Sequence, residues 1–161
     1  MSVIINNKDS KIKVGMKKFF LSSIIAMTVC LISYSCTAED LIVNVRDLPQ
    51  TVQSFLNSHF SNTSVAAAIK DGNDYEIRMG NGWEMEFDRD GQWENIDCKR
   101  DAVPASVIAL IPETIVSYIS SNFEQAFITE ISKDRSGYEV ELNNGLDLRF
   151  SSKGSLKTID D

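Results

Sequence analysis

Residues 48–98 and 111–161 are two versions of one stretch of sequence. Shifted by 63 positions, Leu48 to Cys98 lies on Ile111 to Asp161 without a gap, and about 15 of 51 positions are identical. Ordinary residue frequencies would give about three by chance. Pro49 meets Pro112, Phe60 meets Phe123, Tyr75-Glu76 meets Tyr138-Glu139, Asn81-Gly82 meets Asn144-Gly145, and Gly91 meets Gly154. A repeat of this kind constrains the fold severely. Each copy must form the same elements, and about 50 residues enclose too little core to stand alone. The two copies are therefore expected to pack as one body.

Each copy opens on a proline, which suits the first turn of a helix because its missing N–H costs nothing there. Apolar residues then recur at Val52, Phe55, Leu56 and Phe60, and at Ile115, Tyr118, Ile119 and Phe123. That spacing makes one stripe along a helix of about three turns. Four strands follow, expected in the first copy near residues 64–70, 75–79, 83–88 and 92–97. Tyr75, Ile77 and Met79 alternate with Glu76 and Arg78, and Trp83, Met85 and Phe87 alternate with Glu84 and Glu86. Period-two alternation marks a sheet with one buried face. Trp93 and Ile96 are out of phase, which one β-bulge would repair. The second copy repeats the pattern with Tyr138, Val140 and Leu142, then Leu146, Leu148 and Phe150, then Leu156 and Ile159. Asn81-Gly82, Asp90-Gly91 and Asn144-Gly145 predict tight hairpins between consecutive strands. The expected class is α+β: a tandem repeat of a helix packed on a four-stranded antiparallel meander.

The chain divides accordingly into an export-signal region at 1–36, an N-terminal segment at 37–47, a first repeat at 48–98, a linker at 99–110 and a second repeat at 111–161. The linker carries Val103, Val107, Ile108 and Leu110, too apolar for a free tether, and a short packed helix begun by Pro104 is expected. Upstream, Lys17 and Lys18 precede an apolar run from Phe19 to Ile32 and then small residues, the order of a secretory signal. Met16 then competes with Met1 as the start. Ser35-Cys36 resembles the end of a lipobox, with lipidation of Cys36 the consequence, while cleavage after Ala38 also fits. Cys98 is the single cysteine of the repeats, so they hold no internal disulfide.

The formal charge of −7 understates the acidity of the repeats. Beyond residue 35, 22 acids face 11 bases. Such a surface repels nucleic acid and anionic membrane, leaving a signal peptide or lipid anchor as the only membrane link. It suits basic partners, divalent cations, or solubility alone.

Taken together, the signal, the Leu-Pro helix start, the His/Asn-Phe helix end, Tyr-Glu-Ile/Val, Asn-Gly, Phe-Asp-x-x-Gly-x-Trp and Ile-Asp-Cys resemble the PepSY-like, beta-lactamase-inhibitor-like proteins of Bacteroides and relatives. The resemblance covers both copies. It implies a periplasmic or outer-membrane-associated location and a fold like the tandem repeat of beta-lactamase inhibitory protein, whose sheet side grips its partner. It brings no catalytic residues. The second copy departs from the pattern at Phe150-Ser151-Ser152-Lys153-Gly154-Ser155-Leu156, where the Asp and Trp of the first are lost.

The chemistry available is narrow. His59 is the single histidine and Asn122 replaces it in the second copy. A hydrolase built on His59 or Cys98 lacks a triad, and a zinc site lacks ligands, so no enzyme is expected. Asp88, Asp90 and Glu94 have the flavour of a calcium loop, though the loop lacks EF-hand spacing and is equally a hairpin that needs Asp-Gly. With one helix per copy, one face of each sheet stays open. It would carry Glu76, Arg78, Glu84, Glu86 and Glu94 in the first copy and Glu139, Glu141, Asp147 and Arg149 in the second. The leading expectation is a non-catalytic binding or inhibitor-like module that holds a protein or peptide of the cell envelope on that face. A calcium-responsive protein is the alternative.

Overall fold

The computed structural model describes residues 41–160. The signal region, the alternative start at Met16 and the lipidation candidate Cys36 lie outside those residues. Among the described residues, nine strands form one antiparallel sheet in which each strand neighbours the next in sequence. They are β1 (Leu41–Ile42), β2 (Val65–Asp71), β3 (Asp74–Met79), β4 (Glu84–Phe87), β5 (Trp93–Asp97), β6 (Ile128–Asp134), β7 (Gly137–Leu142), β8 (Asp147–Ser151) and β9 (Leu156–Asp160). The helices are α1 (Gln50–His59), α2 (Ala105–Ile108) and α3 (Glu113–Asn122), after a 3-10 turn at Val45–Asp47. The fold is α+β. The order of one ten-residue helix followed by four strands occurs twice.

The strands of the two copies do not form separate sheets. β5 and β6 pair through Asn95↔Ser132, Ile96↔Ile131 and Asp97↔Glu130, so a single sheet runs from β1 to β9. The core lies on the helix side. Val52 and Leu56 of α1, and Ile115 and Ile119 of α3, are buried with Ile77, Met85, Phe87, Ile96, Ile131, Val140, Leu148 and Phe150 from the strands. Phe55 meets Phe87 edge-on at 5.4 Å, and Tyr118 meets Phe150 at 5.9 Å, so both helices are seated by the same aromatic contact. Isolated helices of ten residues are unstable in water, and these contacts hold them.

The two prolines sit one place earlier than the first turn. Pro49 and Pro112 are the N-caps, extended at ψ 141° and 131°, and their carbonyls accept from Gln53 N and Ile115 N. The expected Asn-Gly hairpins are present, and each needs a residue at positive φ. Only the glycines take it, Gly82 at 89° and Gly145 at 83°, while Asn81 and Asn144 do not. The loops close through Met79 N to Trp83 O and Gly82 N to Met79 O, a three-residue turn with a glycine bulge. The expected bulge in the fourth strand is present: the register shifts between Glu86 and Phe87, which turns Trp93 to the core side. β8 and β9 shift at the equivalent place, between Arg149 and Phe150. In the linker, α2 follows Pro104 and buries Val103 and Val107, but Leu110 is exposed.

One joint fixes each helix to the sheet. Thr51 Oγ1 donates to Asp90 O at 3.2 Å, and Thr114 Oγ1 donates to Lys153 O at 3.3 Å. Gly91 and Gly154 lie beneath these hydroxyls at φ 74° and 80°, and a methyl on either would collide with the threonine. Glycine is required here by both conformation and space.

Candidate binding face

Direct cross-strand partners share a face, so the register assembles the open side of the sheet residue by residue. One row runs Ile69, Glu76, Glu86, Asn95, Ser132, Glu139, Arg149, Thr158. The next runs Ala67, Arg78, Glu84, Asp97, Glu130, Glu141, Asp147, Asp160. Eight of the nine face residues expected from sequence, Glu76, Arg78, Glu84, Glu86, Glu139, Glu141, Asp147 and Arg149, stand in these two rows. The β5–β6 pairing joins the two expected patches into one. Glu94 does not belong to it: it is the extra residue of the β5 bulge, exposed and without a register partner.

Sequence reasoning missed Asp97, Glu130 and Asp160. Asp97 and Asp160 follow once the bulge is counted through to the strand end. Glu130 required knowing that β6 docks on β5, because its register partners are Asp97 and Glu141. In the second row, six consecutive strands from β4 to β9 each present an acid.

The electrostatics are strained. Burial and the neighbouring Asp97 and Glu141 push the Glu130 carboxyl up to about 7, although a hydrogen bond from Asn95 works against the rise. Burial first, then Glu76, Glu94 and Glu84, raise Glu86, and burial with Asp147 and Asp97 raises Glu141. The face holds few cations. Lys99 Nζ bridges Glu84 and Asp97 at 2.6 Å each, Arg78 meets Glu76 at 2.6 Å, and Arg149 meets Glu139 at 3.0 Å. Lys99 adopts φ 60°, the sole described non-glycine residue at positive φ, and its N–H donates to Asp97 Oδ1 at 2.7 Å. Asn95 Oδ1 is buried without a hydrogen-bond partner among the described residues.

The calcium-loop candidates are arranged differently. Asp88 Oδ1 accepts from the backbone N–H of Asp90 at 2.9 Å and of Gln92 at 2.8 Å, closing its own turn. Asp90 lies 3.7 Å from Arg89. Among the described residues, no group of three or more His, Cys, Asp or Glu is placed to hold a metal ion. As folded, these residues do not fit a calcium cage.

His59 sits at the end of α1, its ring tilted against Phe55 at 4.6 Å, with its basicity lowered by burial. Its Nδ1 is buried with no hydrogen-bond partner among the described residues, so no acid orients it. Cys98 is fully buried, and burial with Asp97 and Asp101 pushes its thiol up to about 12, the opposite of an activated nucleophile.

Comparison with known proteins gives a consistent picture. The sequence pattern of the family described as "Putative beta-lactamase-inhibitor-like, PepSY-like" matches twice, over residues 35–90 and 78–158. A crystal structure from Bacteroides thetaiotaomicron, of a protein described as a "putative calcium-regulated periplasmic protein", is similar with 37% identity and a TM-score of 0.71, over 76% of this chain and 97% of that one. A "putative periplasmic protein" from Bacteroides vulgatus is similar with 34% identity and a TM-score of 0.71, over 76% of this chain and 98% of that one. A second from the same species has 32% identity and a TM-score of 0.70, over 76% and 100%. No curated protein matches the chain.

Proposed function

Because the chain belongs to the PepSY-like, beta-lactamase-inhibitor-like family of periplasmic proteins, we propose that it is a binding module without catalytic activity, and that it holds a basic protein or peptide of the cell envelope on the acidic face of its sheet. One observation carries this reading: six neighbouring strands place an acid in one row. Like charges directly opposite one another destabilise a sheet. A face that keeps them, with Glu130 and Glu141 held above the usual carboxylate range, gains most from a cationic ligand. Residues 48–98 and 111–161 are read further as a duplicated helix-plus-meander unit, so the face is built from two equivalent patches.

The test compares wild type with Glu84→Lys/Glu86→Lys in pull-downs from periplasmic extract. A partner retained by wild type, released by salt and lost from the variant is expected. Retention of the same proteins by both would sink the reading.

Calcium response at Asp88, Asp90 and Glu94 is a second reading, supported by the description of the Bacteroides thetaiotaomicron relative. It requires the Asp88 carboxylate to leave its turn. Calorimetry with calcium chloride and a melting curve with and without calcium decide it: no heat and no shift remove it.

A further inference from the structure

The two outer edges of the sheet are unequal, and one of them lacks a partner that its counterpart has. β5 and β9 hold the same place in the order of elements, each the fourth strand after a ten-residue helix, each with a register shift at the equivalent point. Trp93 and Ile96 of β5 correspond to Leu156 and Ile159 of β9. In β5 both are buried, Trp93 at 6% exposure and Ile96 at 0%, because β6 pairs along the far edge and sets Ile131 opposite Ile96. In β9 nothing pairs along that edge among the described residues. Leu156 is 37% exposed, Ile159 is 43% exposed, and all five residues of the strand are exposed. Edge strands are ordinarily protected by an outward charge, most often lysine. The lysine of this strand is turned away: Lys157 Nζ donates to Ser136 O at 2.7 Å, back over the β6–β7 turn. The opposite edge, β1, is only two residues long.

We propose that the free edge of β9 is the docking site for a second copy of this chain, paired β9 to β9 in antiparallel register about a two-fold axis. The inference rests on the duplicated unit proposed above and is independent of any ligand on the acidic face. The β5–β6 junction supplies the template for the occupant: a strand that brings an isoleucine opposite Ile96 and covers it. β9 itself meets that requirement. Self-pairing centred on Ile159 sets Ile159 against its mate on the core side and Thr158 against Asp160 of the mate on the open side. The hydroxyl then donates to the carboxylate. Three residue pairs form, as many as the β5–β6 junction has. An axis perpendicular to the sheet keeps both helix layers on one side and extends the sheet to eighteen strands. A two-fold arrangement closes on itself, whereas pairing β9 with β1 would propagate without end.

Sedimentation of the protein purified from the periplasm, over a concentration series to about 1 mM, tests this. A monomer–dimer equilibrium is expected, with Ile159→Lys raising the dimer dissociation constant at least tenfold. Ile42→Lys, at the 83%-exposed position on β1, leaves it unchanged. Both positions are exposed, so each monomer should melt within a few degrees of wild type. Ile159→Cys should form a disulfide dimer on oxidation, since directly opposed strand positions fall within bridging distance and Cys98 is buried. A monomer at every concentration overturns the proposal, as does a dimer that survives Ile159→Lys or fails with Ile42→Lys. A monomer whose β9 amides become protected from exchange only in envelope extract assigns the edge to another protein and overturns it too.

Discussion

β5 and β9 carry matching residues into different surroundings. Ile96 and Ile159 are both identical in type and both opposed to a buried partner in the preceding strand, Met85 and Leu148. Ile96 is fully buried and Ile159 is 43% exposed, and β6 pairs along the far side of Ile96 while no described strand pairs along that of Ile159. The acidic face gives a complementary case. Glu76 and Glu139 are equivalent, yet Glu76 is held by Arg78 two residues along its own strand and Glu139 by Arg149 on the next strand. Periodicity decides which side of a sheet a residue faces. What it meets there depends on the strand next door.

The largest effect should be one that ignores this difference. Phe87 and Phe150 are equivalent, nearly unexposed, and each seats its helix through an aromatic contact. Phe87→Ala and Phe150→Ala should each cost about 3–5 kcal/mol. Because the sheet is continuous across β5 and β6, either change should lower a single cooperative unfolding transition in urea, read by circular dichroism. Two resolved transitions, one untouched by each variant, would mean that the halves unfold separately and that the β5–β6 junction contributes little.

The next effect should split the halves. Ile96→Ala removes a fully buried side chain and should cost about 2–4 kcal/mol. Ile159→Ala removes one that is 43% exposed and should cost less than about 1 kcal/mol in the monomer. Equal costs would show that β9 is covered in solution at the concentration used, which makes the pair a second reading of the edge.

The helix stripe, the strand alternation and the bulge at Trp93 were legible because each is a local consequence of side-chain geometry. So were eight of the nine face residues, since alternation assigns them a side; Glu94 is the exception, set off the face by the bulge. Two features were not. Leu110 was counted with the packed linker residues and is exposed, because α2 is only one turn long and has one side to bury. Glu130 went unnoticed because its significance is non-local: it becomes part of an acidic row only when β6 lies beside β5. Strand order between copies is set by edge pairing, which hydropathy patterns within each copy do not encode.

A smaller effect should be shared by both halves again. Gly91→Ala and Gly154→Ala each force a side chain into the left-handed region and against a threonine hydroxyl. Each should cost about 2 kcal/mol, combining conformational penalty with displacement of the threonine. Thr51→Ser and Thr114→Ser retain the hydroxyl bond to the turn and should cost well under half of that. If one glycine tolerates alanine and its counterpart does not, the two helix–hairpin joints differ in a way that their matching hydrogen bonds conceal.

The smallest effect tests an acid whose counterpart carries no charge. Glu130 corresponds to Ala67 in the first half, and it stands between Asp97 and Glu141. Its carboxyl is raised from 4.5 to about 7 in the folded state, mainly by burial and then by those two neighbours. Below pH 4.5 the group is protonated whether the chain is folded or not, and it costs nothing. Between 4.5 and about 7 the folded state binds the extra proton, so stability falls as pH rises through this window. Above it the carboxylate is charged in both states and the full penalty remains. Glu130→Gln should therefore leave stability near pH 4 almost unchanged and raise it at pH 8 by on the order of 1 kcal/mol, once solvent screening of a partly open face is allowed for. Ala67→Glu should create a penalty in the first half only if an acidic strand lies beside it. β2 has Arg78 opposite this position, so that variant should show little pH dependence in the same window. Urea unfolding of the two variants at pH 4, 6 and 8 reads both outcomes. A Glu130→Gln variant whose stability tracks wild type at all three values would place the strain of the acidic row elsewhere, on Glu141.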